Sequence, residues 1–178
     1  MTPLPVQPAH ALEVQPPERR WLIEDLWAAE AVGIVGGEPK CCKSFLALDL
    51  AVAVASGAPC LRRFRPARTG RVLLCAAEDA LHVVRARLAG IALTTGVAFE
   101  TLDIQVITAP TVRLDLPEDQ HRLHETVATL RPTLLVLDPF VRLHRIDENA
   151  AAERKSGVEG KSVMSCVDLG GRRMVKKK

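Results

Sequence analysis

The chain has few aromatic residues and no apolar run long enough to cross a membrane. Of its 178 residues, 3% are Phe or Trp and none is Tyr, so it offers little for stacking the bases of a single nucleic-acid strand. No apolar run approaches the ~20 residues of a membrane-spanning helix. The proline-rich start lacks the features of a secretory signal. We therefore expect a cytoplasmic protein without a membrane partner.

The chain also lacks the cysteine spacing of a metal site or a disulfide scaffold. No cysteine belongs to a Cys-x-x-Cys pair, and no histidine follows at metal-ligand spacing. His121 and His124 lie three residues apart in a predicted helix, but without a third ligand nearby a packed or solvated pair is favoured. We interpret the five cysteines as reduced, mostly buried thiols; they are Cys41, Cys42, Cys60, Cys75 and Cys166.

Positive charge is concentrated in the C-terminal part of the chain. Residues 153–178 contain eight Lys or Arg and three acidic residues, a net charge of +5, whereas the whole chain carries +3 and residues 1–152 therefore −2. The body thus has no basic excess of the kind that binds nucleic acid. We expect a flexible, proline-rich lead-in over residues 1–18, a core over 19–152 and a basic, disordered tail over 153–178.

One stretch, Gly-Gly-Glu-Pro-Lys-Cys-Cys-Lys-Ser over residues 36–44, has the character of a phosphate-binding loop. It follows an apolar run and precedes a strong helix-forming segment over residues 43–56, which is the order strand, glycine loop, Lys-Ser, helix. In such a loop, backbone N–H groups converge on phosphate, a lysine neutralises it and a hydroxyl reaches Mg²⁺. Lys43 and Ser44 fit the last two roles. The predicted nucleotide-binding residues are Gly37, Glu38, Pro39, Lys40, Cys41, Cys42, Lys43, Ser44 and Phe45.

The loop departs from the usual pattern Gly-x-x-x-x-Gly-Lys-Ser at Cys42, where the pattern has its second glycine. A side chain there narrows the approach to phosphate and disfavours a positive φ angle. Pro39 also removes one N–H donor. The alternative interpretation is a glycine-rich turn between a buried strand and a buried helix, with Lys43 merely solvated.

Short apolar runs predict an α/β fold with a mainly parallel sheet and helices on both faces. Residues 21–27 predict a short element that packs beneath the first strand. Besides the helix over 43–56, helical spacing predicts a helix after Asp79, which could cap it, and another from Pro117. The core strands are predicted near residues 32–36, 71–77, 104–108 and 133–138.

Two of the predicted strands end in carboxylates. Glu78 follows the run at 71–77, and Asp138 closes the run at 133–138. Ligands of open α/β sheets bind at the carboxyl ends of parallel strands, so Glu78 is a candidate for orienting a water and Asp138 for holding Mg²⁺. The alternatives are an ordinary first-turn acid for Glu78 and a simple Asp-Pro turn for Asp138.

Together these motifs resemble the RecA-like P-loop ATPases (AAA-family ATPases) related to RepA-type plasmid replicative helicases. The similarity extends over about residues 20–152 and includes Gly-Glu-Pro-Lys-x-x-Lys-Ser, Ala-Ala-Glu-Asp and Leu-Asp-Pro-Phe-Val-Arg-Leu-His. It implies a three-layer P-loop NTPase fold with ATP and Mg²⁺ as cofactors, and a loop variant without the second glycine occurs in that family. Lys43 would bind phosphate, Ser44 and Asp138 the metal, and Glu78 would be the catalytic glutamate.

The resemblance also implies a function for full-length relatives, namely ATP hydrolysis coupled to DNA replication or helicase work by a homo-oligomer, a hexamer. Single-stranded DNA is a candidate partner. Asp147, Glu148 and Asn149 match a family segment whose role stays open. The alternatives are a nucleotide-binding regulatory module without turnover and an inactive truncated product.

The segment after residue 152 departs from the family. Relatives continue to an apolar strand that carries sensor residues, whereas this chain continues with hydrophilic residues, glycines and lysines. We therefore expect a partial ATPase core, truncated at its C-terminus, with a gap at the centre of the sheet between the strands near 32–36 and 133–138. Such a chain would hydrolyse ATP poorly or not at all.

Overall fold

A central β-sheet organises the fold. The computed structural model describes residues 6–12, 20–38, 40–109, 111–139, 143 and 162–168. The strands in these ranges are β1 (Trp21–Ile23), β2 (Trp27–Ala28), β3 (Val32–Gly37), β4 (Val72–Ala76), β5 (Ile104–Val106), β6 (Leu134–Asp138) and β7 (Ser162–Asp168). The helices are α1 (Lys43–Ser56), α2 (Leu81–Thr95) and α3 (Pro117–Leu130), with 3-10 turns at Ala9–Ala11 and Phe99–Thr101. No helix in the described ranges has the length and apolarity to cross a membrane.

The sheet has the strand order β3-β7-β6-β4-β5. β4 is parallel to β5 and β6, and β7 is antiparallel to both β3 and β6. β3 therefore runs in the same direction as β4, β5 and β6. The α/β class, the mainly parallel sheet and the four predicted core strands are confirmed.

The expected gap at the centre of the sheet is filled by β7. Ser162–Val167 pair with β3, and Ser165–Asp168 pair with Leu134–Leu137 of β6. The expectation was wrong because the ladder needs only backbone donors and acceptors, and Val-Met-Ser-Cys-Val can supply them without a long apolar run. Residues 162–168 thus belong to the sheet rather than to a disordered tail. The rest of the division into lead-in, core and tail stays a prediction.

The sheet separates two apolar layers. On one face, Val72 and Leu74 of β4 pack in a core with α1 and α2; on the other, Leu73 and Cys75 pack in a second core that includes Val127 of α3. This alternation follows from the two-residue period of a strand. β4 and β6 are consequently buried on both faces, and the three-layer arrangement is confirmed.

The helix α1 spans the predicted residues, 43–56, and is buried on most sides. Its Ala- and Leu-rich sequence has high helix propensity, and eight of its residues are buried. It ends because Gly57 takes the left-handed conformation with φ 85° and its N–H bonds the carbonyl of Ala53, an arrangement that favours glycine. The burial of α1 fixes the loop that precedes it against the sheet.

The N-terminal element is a small antiparallel ribbon of β1 and β2. Leu22 and Ile23 are buried, and Trp27 packs against β3. A Cβ atom on Gly33 would lie 2.5 Å from two ring carbons of Trp27, so only glycine admits this ring. The prediction of a short element packed beneath the first strand is confirmed.

Candidate functional site

The loop between β3 and α1 surrounds the ammonium group of Lys43. Nζ donates to the carbonyls of Gly37 at 2.9 Å and Glu38 at 2.6 Å. It also lies 3.4 Å from Sγ of Cys41, and only 8% of the lysine is exposed. The alternative in which Lys43 is merely solvated is therefore wrong, since the loop's own carbonyls hold the cation.

Two residues of this loop adopt left-handed backbone conformations. Lys40 and Cys42 both have φ 64°. A residue with a Cβ atom adopts this conformation at a cost of about 1–2 kcal/mol, which the glycine of the usual pattern would avoid. Cys42 nevertheless takes it, and is the N-terminal cap of α1 without a side-chain capping bond. The N–H groups in the first turn of a helix have no partner within the helix and favour anions.

The two predicted carboxylates lie at neighbouring strand ends, opposite this loop. Ala76 of β4 pairs with Asp138 of β6, and the N–H of Ala77 donates to the Asp138 carbonyl at 2.7 Å. Glu78 follows directly and is exposed. The parallel register thus places the ends of β4 and β6, with their acids, at one edge of the sheet.

Asp138 is linked electrostatically to the loop and to the other acids. Burial raises the pKa of its carboxyl above the ordinary value. The hydrogen bond with Ser44 and the charge of Lys43 act in the opposite direction, while the charges of Asp79 and Glu78 raise this pKa further. Three acids, a lysine and a hydroxyl therefore interact within one small region.

The predicted residues meet at a cavity of about 480 Å³. Gly37 and Glu38 contribute their carbonyls to Lys43, whereas Pro39 and the Asp147–Asn149 segment lie outside the described residues. The cavity is lined by Lys40, Cys41, Cys42, Lys43, Ser44, Phe45, Glu78, Asp79, Arg87, Asp138 and Pro139. Chain segments that are distant in sequence thus form a single site.

The sequence-based prediction missed Arg87 and assigned Asp79 to a different role. We expected Asp79 to cap α2, but the cap residue is Ala80 and has no side-chain capping bond. The Asp79 carboxylate instead accepts a hydrogen bond from Nη1 of Arg87. The Arg87 guanidinium lies 5.2 Å from the centroid of the Phe45 ring. Helical spacing alone does not indicate that Arg87 reaches the loop; the packing of α2 against α1 brings it there.

A second, apolar groove adjoins the first cavity. It has a volume of about 610 Å³ and lies along α2. Its lining shares Phe45 and Arg87 with the loop cavity and also includes His82, Val83, Ala86, Gly90, Ile91 and Thr94. A ligand bound at the loop could therefore extend into an apolar groove beside it.

A family model described as an AAA domain matches residues 2–168, which is most of the chain and includes β7. The chain belongs to this AAA domain family. Membership indicates nucleotide binding and ATPase activity, and it agrees with the P-loop NTPase-like fold. A search of curated proteins and a search of solved structures each return no match.

The residues of this AAA domain fit a Mg²⁺ ion that is bound together with phosphate. The Ser44 hydroxyl and the Asp138 carboxylate line the same cavity beside Lys43, and both are oxygen ligands of the kind Mg²⁺ prefers. Within the described residues, no group of three His, Cys, Asp or Glu could hold a metal. A Mg²⁺ ion here would take its other ligands from phosphate oxygens and water.

Proposed function

We propose that this AAA domain binds Mg-ATP between the β3–α1 loop and the carboxylates at the carboxyl ends of β4 and β6. One observation carries this proposal: Lys43, Ser44, Glu78 and Asp138 come from three separate segments and line one cavity. A turn that only connects β3 to α1 would not require carboxylates beside a buried lysine. Bringing acids and a cation together is what the binding of phosphate with a divalent ion requires.

The phosphates would be held by the loop and by the first turn of α1. The carbonyls of Gly37 and Glu38 already position the Lys43 ammonium, so little conformational entropy remains to be lost when phosphate binds. The Ser44 hydroxyl and Asp138 would hold Mg²⁺ at the outer phosphates. When bound, the ion supplies charge that offsets the negative phosphate oxygens.

The base of the nucleotide would occupy the apolar groove along α2. This groove begins at Phe45, directly after the loop, and its size of about 610 Å³ is within the range of small-molecule sites. Phe45 offers a ring face, and Arg87, already stacked on that ring, offers a planar cation. The continuity of the two cavities favours a nucleotide over inorganic phosphate as the ligand.

Glu78 is the residue we assign to hydrolysis. Its carboxylate lines the cavity across from Lys43 and would orient a water toward the terminal phosphorus and accept its proton. In phosphoryl transfer the protein contributes mainly such positioning and charge stabilisation. The alternative is a regulatory module that binds nucleotide without turnover, and a turnover assay of the purified chain with Mg-ATP distinguishes the two.

The finer function that we propose follows the resemblance to RepA-type replicative helicases. ATP hydrolysis would then be coupled to work on DNA by a homo-hexamer, with single-stranded DNA as a partner. The sequence motifs support this proposal. The alternative of an inactive truncated product came from the hydrophilic segment after residue 152 and predicted a gap in the sheet, the position that β7 occupies. A cooperative thermal melt and ATP turnover by the purified chain would count against this alternative.

Lys43→Ala tests nucleotide binding. The variant should lose about a hundredfold in affinity for a fluorescent ATP analogue in the presence of Mg²⁺, because a charge-assisted hydrogen bond to phosphate is lost. Arg122→Ala is the matched control, since it removes one positive charge from α3, where Arg122 pairs with Asp119. A melting curve checks the fold of each variant, and equal affinity for Lys43→Ala and wild type would remove Lys43 from the site.

A further inference from the structure

Two adjacent, exposed cysteines lie in the loop that we propose as the phosphate site. Cys41 and Cys42 are both exposed and both line the loop cavity. Cys60 and Cys75, the other cysteines with described side chains, are buried. Burial raises the pKa of the Cys75 thiol to about 11 and also raises that of Cys60. Of these four thiols, a reagent from solvent therefore reaches Cys41 and Cys42 first.

The sulfur of Cys41 lies within the curve of the loop. It is 3.4 Å from the ammonium nitrogen of Lys43, a side chain that is only 8% exposed. A Cβ atom added to Gly37 would lie 2.8 Å from this sulfur, so the thiol packs directly on the backbone across the loop. A group attached to the sulfur would therefore compete with phosphate for the space around Lys43.

From this geometry we infer that Cys41 is a modification site, at which a small disulfide such as glutathione disulfide forms a mixed disulfide that blocks the loop to nucleotide. The blocking effect rests on the proposed function, whereas the position of the adduct does not. Nucleotide binding by the domain would then depend on the thiol–disulfide state of its surroundings.

The exchange is balanced without a further oxidant. The Cys41 thiol releases its proton to solvent, and its sulfur attacks one sulfur of the small disulfide. The S–S bond of the reagent breaks, a new S–S bond joins Cys41 to one half, and the other half leaves as a thiolate that takes up a proton. Cys41 is thereby oxidised and the departing half is reduced. A reducing thiol reverses the reaction by the same route.

Cys42 is poorly placed to displace the adduct by forming a disulfide with Cys41. Consecutive Cα atoms lie about 3.8 Å apart across a trans peptide, whereas disulfides usually need about 4.4–6.8 Å between Cα atoms. Direct closure between the two cysteines would therefore strain the loop. The reaction at Cys41 should therefore stop at the mixed disulfide.

The test compares wild type, Cys41→Ser and Cys42→Ser after exposure to glutathione disulfide. Intact mass and peptide mapping locate the adduct, and the affinity for a fluorescent Mg-ATP analogue is measured for each protein before and after treatment. We expect a glutathionyl group on Cys41 in wild type and in Cys42→Ser, with loss of nucleotide binding that dithiothreitol restores. Treated Cys41→Ser should keep the affinity that it had before treatment.

Two results would overturn this inference. One is an adduct found on Cys42, Cys166 or the buried cysteines while Cys41 stays unmodified. The other is full adduct at Cys41 with unchanged nucleotide affinity, which would leave the proposed function intact. Failure of untreated wild type to bind nucleotide would instead refute the proposed function and with it the blocking effect, and the mapped adduct would still decide whether Cys41 is the modification site.

Discussion

The strands β4 and β6 are buried on both faces of the sheet, whereas β3 is partly buried on one face only. Leu73 and Leu74 of β4, like Leu135 and Val136 of β6, are buried on opposite faces. On β3, Val32 is 71% and Ile34 is 64% exposed. α1 and α2 pack on one face of the sheet, while the core that contains α3 on the other face involves residues of β4 and β6.

This difference separates the two parts of the candidate site. Glu78 follows β4 and Asp138 ends β6, and both strands are fixed by packing on both faces, so the carboxylates stand on a rigid base. The loop follows the half-open strand β3 and contains two residues with left-handed backbone. Backbone strain of this kind persists where the surroundings enforce it, and it is often found at ligand sites. The rigidly held carboxylates thus face the strained loop across one cavity.

The largest effect should come from a matched pair of truncations, one on β4 and one on β3. Leu74→Ala removes a side chain that is 1% exposed and should lower the free energy of unfolding by about 2–5 kcal/mol. Ile34→Ala removes a similar volume from the open face of β3 and should cost less than about 1 kcal/mol. Denaturant unfolding measures both. Equal losses would mean that the open face of β3 is covered in solution.

Glu78→Gln tests the carboxylate that follows the rigid strand β4. Turnover of ATP should fall by about a hundredfold or more, because the amide cannot accept the proton of the attacking water, whereas nucleotide affinity should be retained. Glu125→Gln, the same substitution on an exposed residue of α3, is the control. Hydrolysis by Glu78→Gln at the wild-type rate would assign the role to another residue.

Asp138→Asn should affect stability in a pH-dependent way. Because burial raises the pKa of Asp138 above its ordinary 3.8, the folded state binds the proton more tightly than the unfolded state. That stabilisation is complete below about pH 4 and is lost as the pH rises through the folded-state pKa. At pH 7 the ionised carboxylate therefore destabilises the fold. The uncharged asparagine should raise the melting temperature there.

Melting curves over a range of pH check this prediction. The advantage of Asp138→Asn should shrink as the pH falls toward 4, because the wild-type carboxyl then becomes neutral as well. A gain of the same size at every pH would exclude the carboxylate charge as its cause. The same variant should also weaken the Mg²⁺ dependence of ATP binding, since an amide is a poorer ligand for this ion.

The smallest expected effect concerns Cys42. Cys42→Gly relieves the left-handed strain but increases the freedom of the unfolded chain, so the net gain in stability should be about 0.5–1 kcal/mol. Cys41→Gly is the matched control, because it makes the same change at a neighbouring residue whose φ angle is not positive. Denaturant midpoints compare the two variants. An equal gain from both would show that the backbone of Cys42 is not the source of the strain.

Features set by neighbouring residues could be predicted from the sequence. The helix α1 begins and ends where its composition and Gly57 indicate, and β4 and β6 follow from continuous apolar runs. Lys43, Ser44 and Asp138 were predicted as site residues because loop, helix and strand end each carry a recognisable local pattern. These features depend on backbone periodicity, capping and burial, which a stretch of about ten residues already specifies.

The tertiary structure decided which strands pair and which distant side chains come together at the candidate site. β7 has a modest apolar content, and its place between β3 and β6 follows from backbone pairing with strands that are distant in sequence, such as Val32 with Val167. β3 resembles a buried strand in sequence, yet its position at the edge of the sheet leaves one face open. Arg87 reaches Asp79 and Phe45 because α2 packs against α1. Such contacts depend on which surfaces remain to be covered once the elements have formed, and no local pattern records that.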